Sequence, residues 1–125
     1  MRTILVVDDE KVFRKKYRGL LKEKGFKVKT ASSALEVSEV LMRDKSLIDL
    51  ILLDINIPEV DGRGIWEIID EYAPQLQIIV TSVNPLHDQK IRIPRAADYY
   101  NKADKEATLL KKITRVLGVE KVQQP

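Results

Sequence analysis

A chain of 125 residues that is 44% hydrophobic and 33% charged is sized for one domain with its own core, burying roughly two-thirds of the surface its unfolded form exposes. It has no cysteine and a single histidine, His87, which excludes a disulfide framework and thiolate chemistry and leaves a zinc centre without ligands unless carboxylates stand in. The formal charge of +3 is a small difference between 22 basic and 19 acidic residues, the apolar runs are short, and the first residues lack a signal-peptide pattern, so the expectation is a cytoplasmic protein with no membrane partner.

Residues 4–7, Ile-Leu-Val-Val, form the short β-branched run of a strand buried on both faces. The period then changes. Val12, Phe13, Tyr17, Leu20 and Leu21 recur at helical spacing as far as Gly25, a C-terminal stop. That helix also carries Lys11, Arg14, Lys15, Lys16, Arg18 and Lys22, with Lys24 beyond. These read either as a solvated face or as a nucleic-acid contact, and the lack of a DNA-binding motif favours the first. Phe26, Val28 and Thr30 alternate with lysines, as in a strand near a sheet edge. Ser32 or Ser33 is placed to cap a second helix that turns Ala34, Val37, Val40 and Leu41 inward.

Residues 48–53 are nearly continuous Ile and Leu, broken by Asp49 and closed by Asp54. After a turn at 58–62, Ile65, Trp66, Ile68 and Ile69 predict a third helix that stops near Pro74, and 77–81 predict a fourth strand. Pro85 and Pro94 make the fourth helix, between 84 and 97, short or irregular. Tyr99 and Tyr100 predict a brief fifth strand with one ring in the core and one at the surface. Asp104 is placed to cap a last helix bearing Leu109, Leu110, Ile113, Val116 and Leu117. Trp66 and His87 carry no functional signal.

Strands alternating with helices imply a single doubly wound α/β domain with a parallel sheet covered on both faces. In such sheets the functional crevice lies at the carboxyl ends of the strands. Asp8 and Asp9, Asp54, Thr81 and Ser82, and Lys102 all fall at those ends. Singly each has an ordinary reading: Asp9 as a helix cap, Asp54 as the exit of a strand, Thr81 as a strand threonine, Lys102 as a surface lysine. Together they make a site. Three carboxylates with no glycine-rich phosphate loop suit a hard cation with oxygen ligands such as Mg²⁺. A lysine and a threonine opposite the metal suit phosphoryl oxygens, and a carboxylate nucleophile yields an acyl phosphate.

At this point the chain resembles the receiver domain of two-component response regulators, the chemotaxis-regulator-like fold. The resemblance covers residues 2–118 and rests on ILVVDDE at the first strand, LLDINIPEVDG around Asp54, IVTS at the fourth strand and YYNK at the fifth. It implies a five-stranded sheet in the flavodoxin-like order 2-1-3-4-5, with a receiver domain over 1–118 and, at 119–125, a tail or the start of a linker. It implies that Asp54 is the phosphoacceptor. Asp9, Asp54 and the backbone carbonyl of Asn56 would bind Mg²⁺, with Asp8 acting through water. Thr81 would be the switch hydroxyl, Lys102 the phosphate contact, and Tyr99 the aromatic that follows the switch.

The implied donor is a histidine kinase or phosphotransfer protein. The implied output is the face of helix 4, strand 5 and helix 5, used by a homodimer or a downstream effector, with no nucleic acid bound by the domain itself. The expected role is a signalling phosphoacceptor that assists its own phosphorylation and dephosphorylation, not a turnover enzyme.

Three departures from the family pattern stand out. Ala103 replaces the proline that commonly follows the lysine through a cis bond. Ser82 replaces Ala or Gly, and is expected to modulate phosphorylation or dephosphorylation rates. Pro94-Arg95 replaces Ala-Gly before the fifth strand, adding positive charge beside Lys90 and Arg92. One alternative reading is a phosphorylation-independent pseudo-receiver acting as an interaction module. Another is an aspartate-nucleophile phosphatase or acidic metal-dependent nuclease. The phosphatase would want an Asp general acid where Asn56 stands.

Overall fold

In the computed structural model, which describes residues 2–57 and 62–118, strand and helix alternate along the chain. The order is β1 (Thr3–Val7), α1 (Lys11–Glu23), β2 (Lys27–Ala31), α2 (Ala34–Asp44), β3 (Leu50–Asp54), α3 (Gly62–Tyr72), β4 (Gln77–Ser82), α4 (Leu86–Arg92), β5 (Asp98–Asn101) and α5 (Glu106–Leu117). All strand pairs are parallel and the sheet order is β2-β1-β3-β4-β5. This is the flavodoxin-like doubly wound order, and its reversal of direction falls between β1 and β3. Two stretches of the sequence reading, residues 58–61 of the turn placed at 58–62 and the segment 119–125, lie outside the described residues.

Alternation along each strand divides the core in two. Ile4, Val6, Leu50, Leu52, Ile79 and Tyr100 face α1 and α5, where they meet Tyr17, Leu21, Leu109 and Ile113. Leu5, Val7, Ile51, Leu53, Val80 and Tyr99 face the other layer, with Val37, Leu41, Ile65, Ile69 and Ile93. Both sides of each central strand are therefore apolar, which is why 4–7 and 50–53 read as unbroken hydrophobic runs. The same two-sided cover corrects the expectation for the tyrosines. Tyr99 and Tyr100 do point to opposite faces, but both faces are interior and both rings are buried.

Local chemistry corrects several boundaries. Helix α1 takes Glu10 as its N-cap, with no side-chain cap bond, so Asp9 does not cap it. Val12, one of the helical-spacing residues, is 72% exposed. The helix ends where Gly25, at φ 96°, lets the chain reverse so that Phe26 N–H bonds the Leu21 carbonyl at 3.0 Å. Of the two serines before α2, Ser33 caps: its Oγ accepts from Glu36 N–H at 3.2 Å. Glu36 in turn accepts from the Ser32 N–H and hydroxyl, which hold its carboxyl below the usual range.

Strand β3 begins at Leu50, after the predicted start, because Asp49 is occupied at the rim, accepting from Thr3 N–H at 2.8 Å. Asp104 does not cap α5. A turn closed by Asp104 N–H on the Asn101 carbonyl delays the helix, its N-cap is Lys105, and Tyr100 Oη donates to the Asp104 carbonyl at 2.7 Å. Helix α4 has seven residues, entered from Pro85 and closed before Pro94. Among the described residues no helix is long and apolar enough to cross a membrane.

Candidate functional site

The carboxyl ends of β1, β3, β4 and β5 meet in one crevice. Register places Asp54 beside Thr81, while Asp8 follows β1 directly and bonds its own N–H to the Ala31 carbonyl at 3.1 Å. Asp8 and Asp54 are 1% and 3% exposed, and Lys102 is 8% exposed. Lys102 Nζ donates to Asp8 Oδ2 at 2.5 Å and lies 3.3 Å from Asp54 Oδ2. One carboxylate oxygen from each of Asp8, Asp9 and Asp54 lies within 4.8 Å of the others.

Three carboxylates and one ammonium leave a charge of about −2 when all are ionised, with Asp8, Asp54 and Lys102 buried and Asp9 half-buried. Two of those carboxylates no more than 4.8 Å apart repel by at least about 3 kcal/mol at an effective dielectric of about 20. The donor set is all oxygen and short of positive charge, so it fits a hard divalent cation better than another lysine. Burial pushes the Asp54 carboxyl up to about 6, and neighbouring Asp8 adds to the rise. The Asn56 N–H, donating to Asp54 Oδ1 at 3.0 Å, and the Lys102 ammonium oppose it. Asp54 is therefore ionised at neutral pH but held at a cost that a cation would relieve.

The supporting contacts come from every side. Asp8 Oδ1 accepts from Glu10 N–H at 2.9 Å, and Arg14 Nη1 donates to the Asp8 carbonyl at 2.8 Å. The Lys102 ammonium sits 4.0 Å from the centre of the Phe13 ring, which itself stacks on Tyr17. Lys102 N–H bonds the Ser82 carbonyl at 2.8 Å. Ala103 follows through a trans peptide, since the described residues contain no cis bond, and its N–H donates to Asn101 Oδ1 at 2.8 Å. Proline could not supply that donor.

Asp8, Asp9, Asp54, Thr81 and Lys102 are thus brought together. Asn56 is exposed beside them, and its side chain is tied to the fully buried Ser82, with Nδ2 donating to Ser82 Oγ at 2.9 Å. Tyr99 is not in the crevice. Its ring lies in the opposite core layer, and its hydroxyl donates to the Ile93 carbonyl and accepts from Ala96 N–H at 3.3 Å. Sequence reasoning missed Phe13 as a cover for Lys102, and Asn84 and Arg92 as partners of Asn56. Phe13 was visible only as one of several apolar residues at helical spacing.

The profile of the response regulator receiver domain matches residues 4–114. The chain belongs to the receiver domain family. This receiver domain is 33% identical over 89 residues to the sensor histidine kinase RcsC of Salmonella typhimurium, a match covering 71% of the chain and 9% of that kinase. The chain thus spans less than a tenth of that relative. Among solved structures, a CheY-like response regulator receiver domain protein from Methanospirillum hungatei superposes with a TM-score of 0.85 at 23% identity, covering 94% of each chain. The receiver domain of the sensor histidine kinase PA1611 from Pseudomonas aeruginosa, solved with a magnesium ion coordinated in its active site cleft, gives 0.82 at 25% identity, over 94% of this chain and 98% of that one.

Proposed function

We propose that this receiver domain accepts a phosphoryl group on Asp54 from a histidine kinase or phosphotransfer protein. The observation that carries the reading is the pair of contacts from one buried ammonium, Lys102 Nζ, to Asp8 and Asp54 beside the three-carboxylate cluster. An Asp54 oxygen attacks phosphorus in line, and the bond from phosphorus to the donor breaks with its electron pair leaving on the donor. The product is an acyl phosphate. Lys102 exchanges part of its contact with Asp8 for a phosphoryl oxygen, and the buried Thr81 hydroxyl takes another. Both are charge-assisted bonds of the stronger kind.

Asp9, Asp54 and the Asn56 carbonyl would hold Mg²⁺, with Asp8 acting through water, and the ion when bound neutralises charge on the transferring group. The burial of Asp54 excludes most water from its carboxylate, so the acyl phosphate is shielded until the domain itself helps to hydrolyse it. The expected output face is α4, β5 and α5, offered to a second copy or to an effector.

The test is intact-mass measurement after incubation with acetyl phosphate and Mg²⁺, with a histidine kinase as second donor. One labile phosphoryl adduct, absent in Asp54→Ala, is the expected result. No adduct from either donor, together with no Mg²⁺ binding, overturns it in favour of a phosphorylation-independent interaction module.

A further inference from the structure

The Asn56 side chain stands between the phosphoacceptor and α4. Its backbone N–H donates to Asp54 Oδ1 at 3.0 Å. Its Nδ2 donates to Ser82 Oγ at 2.9 Å and to Asn84 Oδ1 at 3.0 Å. Its Oδ1 accepts from Arg92 Nη1 at 3.1 Å, and the second guanidinium nitrogen of Arg92 reaches the Ile55 carbonyl at 3.4 Å. Arg92 is the last residue of α4. One guanidinium thus grips the segment after β3 at two adjacent residues, in the forked manner that a lysine cannot reproduce.

The start of the same helix is fixed by the fully buried Gln89, whose Nε2 donates to the Asn84 carbonyl at 2.9 Å and the Tyr100 carbonyl at 3.1 Å. Asn84 is shared: its side chain bonds Asn56 and Ser82, and its carbonyl bonds Gln89. The belt from Asp54 through Asn56 to α4 is therefore continuous, with hydrogen bonds at every step. Tyr99, by contrast, is seated under the α4–β5 connection by its hydroxyl bonds, with its ring in the core layer of Ile93 and Val80.

We propose that Arg92 is a positioning residue that holds Asn56, and through it the Asp54 segment, in the geometry needed for phosphoryl transfer, so that α4 and the phosphoacceptor are coupled through this one side chain. The proposal rests on the reading of Asp54 as phosphoacceptor. Coupling of this kind is reciprocal: a change at Asp54 or Asn56 alters the grip of Arg92 on the loop, and loss of that grip alters events at Asp54. The arrangement also gives Ser82 its place, as the buried hydroxyl on which Asn56 and Asn84 both close.

The experiment compares wild type, Arg92→Met and Arg92→Lys as the full 125-residue chain, by metal-free amide hydrogen exchange and by the rate of labelling with acetyl phosphate and Mg²⁺. Arg92→Met is expected to raise exchange roughly threefold to tenfold both in α4 and in the segment 50–57 that Arg92 grips, while α5 stays at the wild-type rate. It is expected to slow labelling at Asp54 by a similar factor. Arg92→Lys, which keeps the charge and loses the two-point grip, is expected to follow Met. If the Met variant loosens α5 as well, the Lys variant alone is read.

A rise in exchange confined to α4 overturns the proposal, and so does an unchanged labelling rate in a domain whose wild type labels. If wild type itself takes no phosphoryl group, the phosphoacceptor reading fails, and the positioning of Asn56 by Arg92 is decided by exchange in 50–57 alone.

Discussion

Helices α4 and α5 lie beside β5 on opposite faces of the sheet, and they are attached by different chemistry. Helix α5 buries Leu109 and Ile113 completely, with Leu110, Val116 and Leu117 packed partly against the same core, and adds one polar tie to β5 through Lys112, which reaches the Tyr99 carbonyl and the Asp98 carboxylate. Helix α4 is seven residues long, and its buried residue is a glutamine. Its hold on the rest of the domain combines the hydrogen bonds of Gln89 and Arg92 with Leu86 at the edge, the Lys90 ammonium 5.8 Å from the centre of the Tyr99 ring, and the buried Ile93 that closes the helix. Apolar burial is non-directional and survives small shifts. Hydrogen bonds are made or broken. A helix held by a few of them can move between discrete positions at modest cost, while its neighbour across the sheet stays fixed.

The largest test of that contrast is in α5. Leu109→Ala deletes a fully buried side chain and is expected to cost about 2 to 5 kcal/mol of global stability in urea unfolding. A loss under about 1 kcal/mol would mean that the stripe on α5 is not what fixes it, and the contrast would fail.

The next effect comes from the site end of the α4 belt. Asp54 has a folded-state value of about 6 against 3.8 when unperturbed. Near pH 3 the carboxyl is protonated in both states and the shift is without effect. As pH rises through 4 to 6 the unfolded chain releases its proton while the folded chain still holds it, so stability falls with rising pH across that window and stays reduced above it. The expected Asp54 contribution is a loss of about 2 kcal/mol between pH 4 and pH 7 without metal, read as the difference between wild type and Asp54→Asn because Glu36 and Asp44, whose carboxyls are held low, act in the opposite direction. Saturating Mg²⁺ is expected to abolish it, because binding favours the ionised form, and Asp54→Asn is expected to flatten it. Unfolding curves at the two pH values, with and without Mg²⁺, decide the matter.

Smaller again is Gln89→Leu. The substitution keeps the volume roughly constant but leaves the Asn84 and Tyr100 carbonyls without the Gln89 donor. The expected cost is about 1 to 2 kcal/mol. Its signature is local: amide exchange in α4 is expected to rise by more than exchange in α5. Equal rises would show the two helices loosening together, and the contrast between them would be lost.

What the sequence made legible follows the same division. The central strands could be read because two-sided burial writes an unbroken apolar run at 4–7 and again at 50–53. The crevice could be read because its charged residues stand directly after those runs. Where apolar periodicity spans several turns, as in α5, the helix was visible too. Helix α4 was legible only as something short between two prolines, since seven residues make two turns and its attachment is polar. Nothing in the local pattern separates Gln89 or Arg92 from any surface residue; Gln89 reaches partners 5 and 11 residues away, and those of Arg92 are 36 and 37 residues away. The capping errors share a cause. Asp9 and Asp104 are good cap residues in poor places, because the backbone had already committed Asp8 and the Asn101 turn to other bonds, and each helix started later than its first candidate cap.

The smallest test concerns how each helix ends. Helix α5 closes on Gly118 at φ 72°, whose N–H reaches the Arg115 carbonyl at 3.2 Å. Helix α4 closes on Ile93 in an ordinary conformation, at φ −130° and ψ 88°. A methyl group at 118 would meet nothing within 4 Å, so Gly118→Ala carries only the conformational cost of a left-handed alanine, about 1 kcal/mol. If α5 is fixed by its apolar stripe, that cost stays at the last turn: exchange is expected to quicken over 114–118 and to remain slow at Leu109 and Ile113. A loss well above 1 kcal/mol, or exchange spreading back to Leu109, would mean that the glycine turn anchors α5. Both helices flanking β5 would then depend on directional contacts, and the fixed partner in the comparison would have to be sought elsewhere in the sheet.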